Sequence, residues 1–174
     1  MDQRLNWIKK SSGVMYLLTW LVELVLVYGF FTAAVSLFLA LARTPEWESA
    51  LVVTLGLEGI GWSPGSMSPA LVALAVAILV DRAVRLLLFG SALLIFRNLS
   101  DGGSPFSPAN TAHLHRIALL VALTACTDGL PGLLSGWSGL EGIAAPLLMG
   151  AALYGLAEIF AYGSLLQQQA DETV

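Results

Sequence analysis

Charged residues are scarce in this sequence: Asp, Glu, Lys and Arg make up 11% of its 174 residues, while hydrophobic residues make up 57%. Soluble domains usually carry about a quarter charged residues, and a small soluble core cannot bury so many apolar side chains. Apolar stretches of roughly 20 residues recur along the chain, and the mean hydropathy is +0.79. The composition therefore excludes an ordinary soluble domain and predicts an integral membrane protein that contacts the lipid bilayer.

Other scarce features exclude particular kinds of site. The single cysteine, Cys126, cannot form an intrachain disulfide or a Cys-x-x-Cys motif, and a net charge of −4 gives no basic field for direct nucleic-acid binding. The motif His-Glu-x-x-His and the Walker loop do not occur in the sequence. His113 and His115 would point apart on a helix, which argues against a metal pair. We therefore predict a protein that is not an enzyme and needs no metal or cofactor.

Four hydrophobic spans are present, and each is expected to be a helix because an open strand edge cannot be satisfied in lipid. The predicted fold class is all-α: one domain, residues 1–174, forming an integral membrane four-helix bundle with helices at about 14–41, 70–96, 116–134 and 143–166. Ser-Pro pairs at 68–69 and 107–108 are typical of helix starts, so the third helix is expected to begin at Pro108. A cleaved signal peptide is the alternative at the N-terminus, but the first apolar stretch is too long for one.

The distribution of basic residues predicts the orientation of these helices. Lys and Arg flank the N-terminus and the 97–115 loop, whereas acidic residues predominate in the 42–69 loop and between the last two spans. Both termini, the 97–115 loop and the 167–174 tail are therefore expected in the cytoplasm, and the 42–69 loop is expected outside. Three tryptophans fit an outer interfacial belt: Trp47, Trp62 and Trp137.

Charged residues within the spans are the most informative ones. A central Asp or Arg costs roughly 2.5–3.5 kcal/mol on insertion, so the second span, which carries three such residues, needs partners. Asp81 and Arg85 have the i,i+4 spacing of a helical ion pair. Such charges either fix helix register or belong to an ion or proton path. We predict a buried ion-pair cluster that links the first, second and fourth helices: Glu23, Asp81, Arg82, Arg85 and Glu158.

Two stretches of the sequence carry a family resemblance. They are residues 94–107, LIFRNLSDGGSPFS, followed by His115-Arg116-Ile117, and residues 157–174, AEIFAYGSLLQQQADETV. Together they resemble the bacterial membrane family catalogued as domain of unknown function 2975, whose members combine a Gly-x-Pro-Phe-Ser linker with a Glu-Ile-Phe stretch and an acidic, Leu- and Gln-rich end. This chain departs from the pattern in its tail, where residues 167–169 are glutamines and Glu172 replaces a leucine.

The resemblance implies a four-helix protein of the bacterial inner membrane with cytoplasmic ends, and it implies no activity. It also implies a cytoplasmic partner of the helix-turn-helix regulator type. We expect the loop between the second and third helices to act either as a stiff corner or as a docking surface, with Phe106 packed on the start of the third helix. The candidate docking residues are Gly103, Pro105, Phe106, His113 and His115.

These features predict a non-enzymatic regulatory or accessory protein of the inner membrane that acts through protein–protein contacts. Its partner is expected to be a cytoplasmic regulator, a larger membrane complex or a second copy of the chain. The alternative is a small transporter or an ion- or proton-conducting protein that uses the Glu/Arg cluster.

Overall fold

The computed structural model describes residues 2–42, 69–129 and 140–172. All regular secondary structure in these ranges is helical, and no strand occurs in them. Helix α1 is Asp2–Leu41, α2 is Pro69–Ser100, α3 is Pro108–Thr124 and α4 is Glu141–Glu172. A π-helical turn, Ala125–Gly129, directly follows α3. The prediction of an all-α chain with four helices is confirmed for the described residues.

A helix extends beyond its predicted hydrophobic span where the polar residues next to that span are also helical. Helix α1 has 40 residues and begins at Asp2, because the polar residues before the apolar span are also helical. Helix α3 begins at Pro108 as predicted, but its α-helical hydrogen bonding ends at Thr124, before the expected end near residue 134. The interior of the predicted 42–69 loop and the three outer tryptophans lie outside the described residues, whereas α2 begins at Pro69 of the predicted Ser-Pro helix start.

The corner between α2 and α3 is built by local sequence signals. Ser107 has extended backbone angles and accepts a hydrogen bond from the Asn110 N–H at 3.3 Å, so it caps α3. At the end of α2, the Gly102 N–H donates to the Leu99 carbonyl at 3.1 Å and the Gly103 N–H donates to the Asn98 carbonyl at 2.9 Å. These two bonds form a Schellman motif. Its central residue, Gly102, has a φ of +87°, where a Cβ would be strained.

Helices that follow one another in the chain pack against each other. Helix α1 packs on α2, α2 on α3 and α3 on α4, while the π-helical turn contacts α2, α3 and α4. Among the described residues, no comparable packing joins α1 to α4. The four helices therefore form an open row, in which the edge helices α1 and α4 each have one main helical neighbour.

Neighbouring helices in the row are antiparallel, so three segments meet at one end of the molecule. The Lys9 side chain of α1 lies beside Gly102, and the Ser104 hydroxyl donates to Gln167 Oε1 of α4 at 3.0 Å. We call this end, where the start of α1, the 101–107 loop and the end of α4 meet, the loop end.

The surface of the row is strongly apolar. Large hydrophobic side chains are exposed along both edge helices, with Val25 of α1 at 70% and Leu148 of α4 at 72% exposure. Two described helices are long and apolar enough to cross a membrane: α1 over Lys9–Leu39 and α4 over Glu141–Ala170. Helix α2 is as long as α4 but has charged residues in its middle.

Candidate functional site

Asp81 is buried in the middle of α2, and each of its two carboxylate oxygens accepts a hydrogen bond. Oδ2 accepts from Arg85 Nε at 2.8 Å, which is the ion pair that the i,i+4 spacing predicts. Oδ1 accepts from the Thr127 hydroxyl at 3.1 Å. The carboxylate thus receives donors from α2 and from the segment after α3, and it holds these two parts of the chain together.

Thr127 reaches Asp81 because it lies in the π-helical turn 125–129. Such turns are rare and often occur at functional sites, since they change the direction of a side chain within an otherwise regular helix. Thr127 is not among the residues predicted for this site. The available signal was a polar stretch, Thr124 to Asp128, within an apolar span, but the partner of that stretch could be identified only from the packing of α3 on α2.

Glu23 and Arg82 lie at the contact between α1 and α2, at different levels. A Cβ on Gly90 of α2 would lie 3.5 Å from Glu23 Oε1, and a Cβ on Gly29 of α1 would lie 3.6 Å from Arg82 Nη1. Each glycine therefore leaves space for a charged side chain from the opposite helix. Gly90 and Arg82 are separated by about 12 Å along α2. Glu23 Oε2 is buried and has no hydrogen-bond partner among the described residues.

Glu158 lies apart from the charges of α2, which corrects its predicted place in the cluster. Its Oε1 is 3.1 Å from Nε2 of His115 on α3. The physical reason is the open row: α4 packs on α3, so the helix that Glu158 can reach is α3 rather than α1 or α2. The predicted cluster linking three helices is therefore divided into the Asp81 site, the Glu23 and Arg82 contacts and the His115–Glu158 pair.

Both ring nitrogens of His115 lie within hydrogen-bond distance of an oxygen. Nδ1 is 3.1 Å from the Thr111 carbonyl oxygen, which can only accept, so Nδ1 carries a proton. Nε2 then donates to an ionised Glu158 only if the ring is an imidazolium. The ring also packs edge-on against Tyr154, with centroids 5.0 Å apart. His115 thus joins Thr111 of its own helix to Glu158 and Tyr154 of α4.

Side-chain hydrogen bonds fix the corner at the loop end. Asn98 Nδ2 donates to the Ser107 hydroxyl at 3.2 Å and to Asn110 Oδ1 at 2.9 Å. Asn110 Nδ2 in turn donates to the Ser104 carbonyl at 3.0 Å. A Cβ on Gly103 would collide with the Asn98 side chain and lie 2.9 Å from the Asn98 carbonyl oxygen. Gly103, a predicted docking residue, is therefore required by the internal geometry of the corner.

Phe106 packs on α4 instead of the start of α3, where the sequence placed it. Its ring centroid is 5.2 Å from that of Phe160, and a Cβ on Gly163 would lie 2.8 Å from the Phe106 ring. The loop folds over α4 because Gly163 leaves space for the ring. Pro105 is exposed, and Phe106 keeps 39% exposure. These contacts favour the stiff-corner alternative for most of the predicted docking residues.

His113 is close to the corner but makes no bond to it. Its Nδ1 is buried and has no hydrogen-bond partner within the described ranges. Burial lowers the pKa of His113, and the charge of Arg116 lowers it further. The neutral imidazole is therefore the form that this site favours.

Among residues 2–42, 69–129 and 140–172, no group of three or more His, Cys, Asp or Glu side chains could hold a metal ion. Comparison with known proteins finds no family model, curated protein or solved structure that matches this chain. The resemblance to domain of unknown function 2975 stays a prediction.

Proposed function

We propose that this protein is a multi-pass protein of the bacterial inner membrane, related to domain of unknown function 2975, with both termini in the cytoplasm. The exposed apolar surfaces of α1 and α4 support this proposal, since soluble monomers rarely expose patches of that size. Basic residues at the loop end, Lys9, Lys10 and Arg97, support a cytoplasmic location for that end.

Within that membrane, the protein acts as a non-enzymatic regulatory or accessory component through contacts with other proteins. The observation that carries this proposal is the open row of helices, because α1 and α4 each leave one side without a helical neighbour among the described residues. In a bilayer, helices associate through packing and hydrogen bonds across such faces. A cytoplasmic partner of the helix-turn-helix regulator type is compatible with the exposed Pro105 and Phe106 at the loop end.

The Asp81 site has a structural role in this proposal. Both Asp81 oxygens accept hydrogen bonds, from Arg85 and from Thr127, and a carboxylate so satisfied fixes the register of neighbouring helices. Ion or proton conduction is the second candidate function, favoured by one observation: Glu23 Oε2 is buried without a described partner.

Affinity purification of the tagged full chain from membranes in a mild detergent, followed by mass spectrometry, tests the regulatory role. We expect a defined second protein that is lost with Phe106→Ala and retained with Leu148→Ala, a control on the apolar surface far from the loop end.

Conduction is tested by proton flux in proteoliposomes, with Glu23→Gln and Glu158→Gln as variants. Flux that depends on either acid, with no co-purified protein, would replace the first proposal by the second.

A further inference from the structure

A groove of about 390 Å³ lies between α3 and α4 on the outer surface of the row. Its lining includes four small residues, Ala118, Ala122, Gly150 and Ala151, and Tyr154 lies at the end nearer the His115–Glu158 pair. In membranes, small residues at a helix surface allow a further helix to approach closely. The groove therefore has the lining of a helix-packing surface.

Gly155 belongs to the same face of α4 but is not needed for packing within the chain. A Cβ on Gly150 would lie 2.8 Å from the Ala122 Cβ, so Gly150 lets α3 and α4 approach each other. A Cβ on Gly155, in contrast, would meet no atom of the described residues within 4 Å. Ala151 and Gly155 are both exposed and have the i,i+4 spacing that places them on one face. The internal structure therefore leaves the small size of Gly155 unexplained.

Opposite charges lie on the two sides of this groove. On α4, the Glu158 side chain keeps 58% exposure although it bonds His115, and it is one turn beyond Tyr154. On α3, Arg116 is exposed and shares a face with the groove residue Leu119, three positions later. Because Arg116 directly follows His115, which bonds Glu158, the two charges lie at about the same depth in the membrane.

We propose that a second copy of this chain packs on the α3–α4 face, with Arg116 of each copy paired with Glu158 of the other. Two copies with the same membrane orientation are related by a two-fold axis along the membrane normal, so residues at equal depth meet. Arg116 and Glu158 satisfy that condition and lie on opposite helices. The face is thus self-complementary: a charge left exposed by one copy is neutralised by the other, while the apolar groove and Gly155 accommodate the helices.

This inference rests on the proposed membrane location and names one partner for the proposed protein contacts. A phospholipid could also cover the apolar groove, but a lipid does not require Gly155 to be small. A bound lipid also would not make the effect of a substitution at Arg116 depend on the residue at position 158. Mutual dependence of these two residues is therefore the property that distinguishes a second copy from lipid.

Charge exchange between the two residues tests the proposal. The full chain in a Cys126→Ser background is labelled with donor and acceptor fluorophores, and energy transfer in liposomes is followed as lipid dilutes the protein. We expect Arg116→Glu and Glu158→Arg each to weaken self-association about tenfold or more, and the double exchange to restore most of it. Arg97→Glu, which reverses an exposed charge away from the groove, is the matched control and should not change it.

Two glycine variants control for misfolding of the charge-exchanged proteins. Gly155→Leu should abolish energy transfer while thermal unfolding of the detergent-solubilised monomer stays unchanged, because the monomer has open space there. Gly13→Leu, on α1, also places its Cβ more than 4 Å from any atom of the described residues, and it should leave energy transfer intact. Wild-type protein that stays monomeric, dimers insensitive to Arg116→Glu, or folded double exchanges that stay monomeric would each overturn the proposal. Resistance to alkaline carbonate extraction, measured in parallel, tests the membrane location separately.

Discussion

Single hydrogen bonds carry much of the organisation in this protein because its core is poor in large buried side chains. Among the described residues, the buried hydrophobic ones are mostly alanines, so interlocking of bulky groups contributes little. Some buried polar side chains instead form specific hydrogen bonds, as Asp81 does with Arg85 and Thr127. In a low-dielectric interior such bonds are strong, and leaving one partner alone is costly.

Removing the Thr127 hydroxyl tests this point. Thr127→Val leaves one Asp81 oxygen without its donor, so we expect the free energy of unfolding to fall by about 1.5–3 kcal/mol, the range for bonds to charged groups. Thr124→Val is the matched control, because the Thr124 hydroxyl bonds only the Val121 carbonyl of its own helix. Denaturant unfolding in mixed micelles measures both variants, and equal losses would contradict the role assigned to Thr127.

His113 makes the stability of the fold depend on pH. Its folded-state pKa lies below the usual value of 6.5, so the unfolded chain binds more protons as the pH falls through that value. The contribution of His113 to stability is therefore present above the unfolded pKa of 6.5 and is lost as the pH falls through 6.5 toward the lower folded-state pKa. We expect His113→Asn to unfold with a shallower pH dependence than the wild type over this interval; identical slopes would contradict the prediction.

At the scale of elements, the corner between α2 and α3 is the best specified part of the chain. Its signals are local: a Ser-Pro helix start at 107–108 and a glycine pair at 102–103. The contact between α3 and α4 depends on residues that are distant in sequence. Gly150 of α4 lies against Ala118 and Ala122 of α3 there. The two helices are so close that a Cβ on Gly150 would collide with both residues.

A single methyl group at Gly150 should separate these two helices. Gly150→Ala places a Cβ 2.8 Å from that of Ala122, and overpacking of this kind typically costs about 1–3 kcal/mol. Gly13→Ala, which meets nothing within 4 Å, should be neutral or slightly stabilising because alanine favours helices. Thermal unfolding in detergent compares the two, and a neutral Gly150→Ala would show that α3 and α4 are less tightly packed.

At the scale of the whole molecule, antiparallel neighbours bring the start of α1, the 101–107 loop and the end of α4 together. Contacts between Lys9 and Gly102 and between Ser104 and Gln167 mark this end. In a membrane, antiparallel helices that each cross the bilayer place these three segments on one side of it. The start of α4 is then expected on the other side.

Cysteine labelling in a Cys126→Ser background tests this topology. We expect Asp101→Cys and Glu172→Cys to react with a membrane-impermeant maleimide only in inside-out vesicles, since both lie at the loop end. Leu140→Cys, which is 75% exposed at the start of α4, should react only in right-side-out vesicles. Labelling of Asp101→Cys and Glu172→Cys from opposite sides would exclude the proposed arrangement.

The helices, the capped corner and the Asp81–Arg85 pair could be predicted from the sequence, because each follows from hydropathy or from residues within a few positions of each other. The open row of described helices, the Thr127–Asp81 bond, the Glu158–His115 contact and the position of Phe106 on α4 became visible only in the folded chain. These contacts join residues far apart in the chain, and they depend on which helices are neighbours and how each is rotated. The helices of this chain are apolar on nearly every side, so hydrophobicity gives little information on which helices are neighbours or on how each helix is rotated.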